Sequence, residues 1–139
     1  MVSLGADIAA ALPELRAHAE SLMLDACRVT RPGEGRGPWS DELRDYGPPA
    51  PVTVYEGRCQ VQDRDVQEHQ VVAGEADLDT QRWTVKLPVL ESVGIRPGDD
   101  VEITVATNDP DLQGRHFTVG ALHHKTFATA RRLPCIEVV

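Results

Sequence analysis

With 139 residues the chain has room for one hydrophobic core rather than two, so a single domain spanning 1–139 is expected. Twenty-two acidic residues against 14 basic ones leave a net charge of −8, which argues against a generic duplex-DNA binder, because phosphate binding needs a net positive surface. The balance is uneven: residues 112–139 carry Arg115, Lys125, Arg131 and Arg132 against Glu137, or +3, and the other −11 lies upstream. Such a division favours pairing between unlike surfaces, copies of the same chain included.

In chain order, Leu4, Ile8, Leu12, Leu15, Ala19 and Leu22 recur at spacings of four and three, the apolar stripe of a helix. Pro13 interrupts it, and proline suits a first helical position better than an interior one. The expectation is a helical turn over 4–11 and a firmer helix over 13–24, with residues 1–25 forming an N-terminal helical segment. The stripe suits packing on the chain's own core and packing on a neighbouring subunit equally well; Leu15 and Leu22 are the candidates for the second.

Residues 26–31 read as a strand with Cys27 and Val29 on one face. Residues 32–51 hold Pro32, Gly33, Gly35, Gly37, Pro38, Gly47, Pro48 and Pro49, too many breakers for sustained regular structure, and Trp39 and Tyr46 are the groups expected to pin this long loop down. Residues 52–62 alternate again through Val52, Val54, Cys59 and Val61, with a bulge expected at Glu56-Gly57. A second loop, 63–79, is strongly acidic. Residues 80–89 place Trp83, Val85 and Leu87 on one face, and after the turn Arg96-Pro97-Gly98-Asp99-Asp100 the same spacing returns at Val101, Ile103 and Val105. These two strands are expected to pair antiparallel. Asn108-Asp109-Pro110-Asp111 reads as a turn, 116–121 as a strand with Phe117 and Val119 inward, and 133–139 as a last strand with Pro134 at its start or at an edge. About six short strands with such turn signals describe a small barrel or sandwich.

Chemistry-bearing patterns are scarce. The chain has no Gly-rich phosphate loop, GxSxG, HExxH or CxxC, so no catalytic centre and no cofactor is expected. His123 and His124, read as strand neighbours, point to opposite faces and chelate poorly. Cys27, Cys59 and Cys135 are an odd number at wide spacing, which fits reduced thiols on inward strand positions better than disulfides or a zinc site. Asp99-Asp100 is ordinary turn chemistry. No apolar run reaches the roughly 18 residues of a membrane span, and no basic-then-apolar leader pattern opens the sequence, so a soluble protein made in the cytoplasm is expected. Around Arg131-Arg132 the apolar alternation lapses. Both guanidinium groups, with Lys125 in support, are expected to be free to reach carboxylates of another subunit.

The fragments Tyr55-Glu56-Gly57-Arg58-Cys59-Gln60-Val61-Gln62, Arg82-Trp83-Thr84-Val85-Lys86-Leu87-Pro88, Gly98-Asp99-Asp100-Val101, Asp109-Pro110-Asp111-Leu112-Gln113-Gly114-Arg115-His116-Phe117 and Lys125-Thr126-Phe127-Ala128-Thr129-Ala130-Arg131-Arg132-Leu133 follow one another in an order and spacing that resembles the tailed-phage head-closure, or head-to-tail stopper, proteins, particularly those of actinobacterial phages. The resemblance implies a mainly β protein: a small antiparallel β-barrel of about six strands over 26–139, with an N-terminal helix and long loops at 32–51 and 63–79. It implies a non-enzymatic virion protein at the head-tail junction, in a ring of six or twelve copies. Its partners would be portal or adaptor proteins on the head side, tail-tube or tail-terminator proteins on the other, and packaged DNA in the channel, with no membrane and no sequence-specific binding.

By the same resemblance the 63–79 loop, with Asp63, Asp65, Glu68, Val72, Gly74 and Glu75, is expected to face that channel and gate it; its acids would repel a sliding DNA backbone. Neighbouring junction roles, an adaptor-like connector or a tail terminator, stay open. So does a β-barrel nucleic-acid-binding module, although Tyr55, Trp83 and Phe117 fall at core-like positions rather than on a stacking surface.

Overall fold

The period-2 stripes of the sequence form the inner wall of a closed antiparallel barrel. The computed structural model describes residues 3–64 and 82–138. After helix α1 (Leu4–Ser21), the strands are β1 (Asp25–Arg31), β2 (Trp39–Ser40), β3 (Asp45–Tyr46), β4 (Val52–Arg64), β5 (Arg82–Leu87), β6 (Asp100–Val105), β7 (His116–Val119) and β8 (Arg131–Val138), with a 3-10 turn at Pro110–Leu112. Six of them close in the order β1-β4-β5-β8-β7-β6, while β2 and β3 pair only with each other. The fold is thus mainly β with one N-terminal helix and long loops.

Alternate residues point inward: Cys27 and Val29, Tyr55 and Cys59, Val85 and Leu87, Val101 and Ile103, Phe117 and Val119, Leu133 and Cys135 are all buried in one cluster. Trp83 tilts against Phe117 with ring centroids 5.3 Å apart, and Arg115 covers its other side. A barrel this narrow is filled by its own side chains, so it encloses no passage.

Several expectations from the sequence are corrected. β5 and β6 are not neighbours: β5 lies between β4 and β8, and β6 between β1 and β7, so their apolar faces meet across the core. The reason is the length of residues 88–99, which carry the buried Ile95; the Gly98 turn, at φ +91°, is only the end of that connection. Helix α1 is continuous through Pro13, which is exposed together with Ala9, so the carbonyl that loses its donor can be hydrated. The bulge falls at Val54, skipped between the Val29–Tyr55 and Thr30–Thr53 pairs, and Gly57 pairs in register with Cys27. A Cβ on Gly57 would press on the Tyr55 ring, whose hydroxyl donates to the Arg58 carbonyl at 2.7 Å.

Pro134 lies inside β8, paired with Thr84 of β5 on one side, while the β7 ladder on the other side ends at the neighbouring Val119–Cys135 pair, rather than at a start or outer edge. Its carbonyl accepts the Gly120 N–H at 2.7 Å just where β7 ends, so the missing proline donor faces no ladder partner.

Residues 32–51 prolong the β1–β4 ribbon instead of looping back onto the barrel. Gly37 and Gly47 exchange backbone bonds with Gly47 and Pro38 at 2.9 Å, and a Cβ on Gly33 or Gly37 would collide with the carbonyls of Ala50 and Pro48. Trp39 and Tyr46 pack edge to face at 5.2 Å with Arg36 over Tyr46, pinning the ribbon to itself. None of these twenty residues is buried. The result is a projecting arm.

At the root of the arm, Arg31 grips Asp99. Its Nε and Nη2 donate to the two carboxylate oxygens at 3.0 and 2.8 Å, and Nη2 also reaches the Gly94 carbonyl. Burial pushes the Asp99 carboxyl up, but the Arg31 fork, the Arg96 N–H at 2.8 Å and the two guanidinium charges more than reverse this and hold it below the usual range. Asp99→Asn should cost about 2–3 kcal/mol in urea unfolding at neutral pH, below the figure for a fully buried pair because 29% of the Arg31 side chain stays exposed. A depressed folded pKa contributes stability above the ordinary value and loses it as pH falls through the folded one, so the gap between wild type and variant should narrow on acidification below 3.8.

Candidate functional site

Outward-facing residues of β4, β5 and β8 form the floor of an open groove of about 470 Å³, walled by residues 123–130. Its floor carries Gln62, Thr84, Lys86, Arg132 and Pro134, and its wall carries His123, Lys125 and Phe127. Strand register explains the concentration of charge: Lys86 lies directly opposite Arg132 on the same face. Like charges at opposed strand positions destabilise a sheet. Burial and then the Arg132 charge lower the Lys86 pKa accordingly. Among the described residues Lys86, Lys125 and Arg132 make no hydrogen bond or ion pair. Among the described residues the groove is therefore a predominantly cationic surface with one acid, Asp63, at its border, suited to carboxylates or another anion.

Arg132 is exposed, but the expectation that Arg131 is free fails. Arg131 is half-buried and tied inside the chain: Nε donates to the Ser92 hydroxyl at 3.0 Å, Nη2 to the Val89 carbonyl at 2.9 Å, and Nη1 lies 3.3 Å from His124 Nδ1. Ser92, itself fully buried, bonds back to the Pro88 carbonyl. Successive β8 residues face opposite sides, and only Arg132 faces the groove. His123 and His124 lie in a loop rather than on a strand.

Leu15 and Leu22 are 49% and 55% exposed, alongside exposed Leu4 and Leu24, whereas Leu12 and Met23 are buried. The helix turns one flank to the chain, where Arg16 Nε donates to the Ala128 carbonyl at 3.0 Å and Glu20 pairs with Arg58 at 3.0 Å. The other flank stays open. Asp63 lies on β4 and borders the cationic groove. Asp65, Glu68, Val72, Gly74 and Glu75, the remaining residues of the expected channel loop, lie outside the described residues.

Among the described residues no group of three or more His, Cys, Asp or Glu side chains is placed to hold a metal ion, and no helix is long and apolar enough to cross a membrane. The three cysteines are free and buried inside the barrel. A hydrogen bond with Cys59, then burial and the neighbouring thiols push the Cys27 thiol up, and burial pushes Cys135 up to about 12 against an opposing backbone bond at Val85. Sequence reasoning missed Lys86, whose place opposite Arg132 depends on a strand pairing that no local pattern encodes.

A family model described as a family of unknown function (DUF6093) matches residues 15–136, a span that includes the arm, the groove and all of the barrel but the end of β8. No curated protein and no solved structure matches the chain.

Two outcomes follow from these contacts. Arg131→Ala, which strips bonds from buried Ser92 and half-buried Val89, should cost about 1–3 kcal/mol in chemical unfolding, whereas Arg132→Ala should stay within ~0.5 kcal/mol of wild type. A disulfide-exchange reagent at pH 8 should leave the native thiols unmodified and should titrate all three cysteines once guanidinium unfolds the barrel.

Proposed function

We propose that this chain, which belongs to the DUF6093 family, is a non-enzymatic structural protein of the tailed-phage head-tail junction, a stopper that assembles in a ring around the DNA channel. The observation that carries the reading is where the fold spends its chemistry. Side chains fill the barrel, while a cation-lined groove, an open leucine flank and a projecting arm lie on the outside. Surfaces of that kind serve neighbouring subunits rather than a small substrate. The sequence resemblance to head-closure proteins supplies the setting.

Because the barrel has no bore, DNA would pass between copies, through the hole of the ring, and the net charge of −8 suits a conduit that must not hold it. Portal or adaptor proteins would meet the ring on the head side and tail-tube or terminator proteins on the other. An aromatic platform for single strands is disfavoured, since Tyr55, Trp83 and Phe117 are committed to the core.

The test is a null allele in the phage that encodes the chain. DNA-filled heads should form, lose their DNA and accumulate beside unattached tails, and tagged protein restored in trans should locate to the junction by electron microscopy. Infectious, tailed particles from the null allele would overturn the reading.

A further inference from the structure

We infer that the tip of the 32–51 arm of one copy docks in the cationic groove of the next, joining copies head to tail. The inference rests on the self-assembly part of the proposed function and supplies the contact it lacks. Around the arm's turn, Asp41, Glu42 and Asp45 stand against Arg44, beside exposed Trp39 and a Leu43 that is 72% exposed. The groove offers Lys86, Lys125 and Arg132 against Asp63, with Phe127 as an apolar wall. Sign and character match on both sides: acids with large apolar groups at the tip, cations with an aromatic in the groove.

The groove also has a reason to want an occupant. Lys86 and Arg132 face each other across paired strands, and among the described residues no carboxylate lies between them to relieve the repulsion. A carboxylate from the tip would turn it into a favourable triad.

The tip cannot be the chain's own. The arm leaves the barrel at the Arg31–Val52 pair and the groove borders β4 at Gln62, ten residues further on. At about 3.3 Å per residue those points stand roughly 30 Å apart along β4, and the arm continues the ribbon in the opposite direction. A tip at one end and its receptor at the other make a heterologous contact, which repeats from copy to copy and closes into a ring when the rotation allows. The arm's lack of buried residues is then accounted for, because its burial partner is another molecule.

Charge reversal in two variants tests this with purified wild-type protein and sedimentation velocity. Wild type should self-associate at low salt and dissociate as salt screens the contact. Lys125→Glu with Arg132→Glu gives an acidic groove, and Glu42→Lys with Asp45→Lys gives a basic tip; each should weaken association about tenfold or more while circular dichroism stays native. An equimolar mixture of the two should associate again, since each variant's tip then finds an opposite groove on the other.

A wild type that stays monomeric at all concentrations and salts, reversed variants that associate like wild type, or a mixture that stays dissociated would each overturn the contact. So would a monomeric wild type that binds a DNA duplex through a groove the first variant destroys. The contact and the stopper reading fail separately: infectious particles from the null allele leave the rescued mixture standing, and a junction defect with no charge rescue removes only this contact.

Discussion

The bidentate pair between Arg31 and Asp99 is the constraint on which the architecture turns. Arg31 ends β1 and Asp99 immediately precedes β6, so the pair fastens the seam where the sheet closes on itself. Without that seam β1 and β6 would be edge strands with a row of unpaired backbone groups. The same arginine pairs with Val52 at the arm's root and reaches the Gly94 carbonyl, so barrel closure, arm attachment and the end of the 88–99 connection share one side chain. Arg131 holds the beginning of that connection through Ser92 and Val89. Two arginines from opposite ends of the chain thus fix the segment that crosses from β5 to β6.

A barrel filled in this way confines variation to its exterior. The inward positions are set by volume, and replacing Phe117 or Leu133 would be felt across the whole cluster. The outward positions of β5 and β8 are under no such demand, yet they carry two cations where neutral residues would make a more stable sheet. That stability is given up at a surface site, on the floor of the groove walled by residues 123–130.

Strands were largely legible in the sequence because a half-buried strand writes its burial into every second residue. Trp83, Val85 and Leu87 announced β5, as Val101 and Ile103 announced β6, and the core aromatics fell where alternation put them. Which strand lies beside which was not legible: β5 and β6 present matching faces whether they are neighbours or sit across the core, and only the path of residues 88–99 decides. Pro134 misled for a related reason. Its lost donor matters only if a partner faces it, and β7 stops one residue short. Of the candidate site, Arg132 and Lys125 could be named from local composition, whereas Arg131 looked the same locally and is bound to residues about forty positions away. Proline and glycine in 32–51 read as the absence of structure; in fact they permit the close backbone crossing from which the arm is built.

The central place of β1 bears on how the chain leaves the ribosome. β1 pairs with β4 on one side and with β6 on the other, and Ala26 meets Val105, seventy-nine residues later. At elongation rates of about 5–20 residues per second, that second edge stays uncovered for roughly 4–16 s on each nascent chain. Copies made side by side on one message expose the same edge at once. Arg28, paired with Glu56 across the β1–β4 ribbon, places a charged side chain on β1, the kind of residue that discourages edge-to-edge joining.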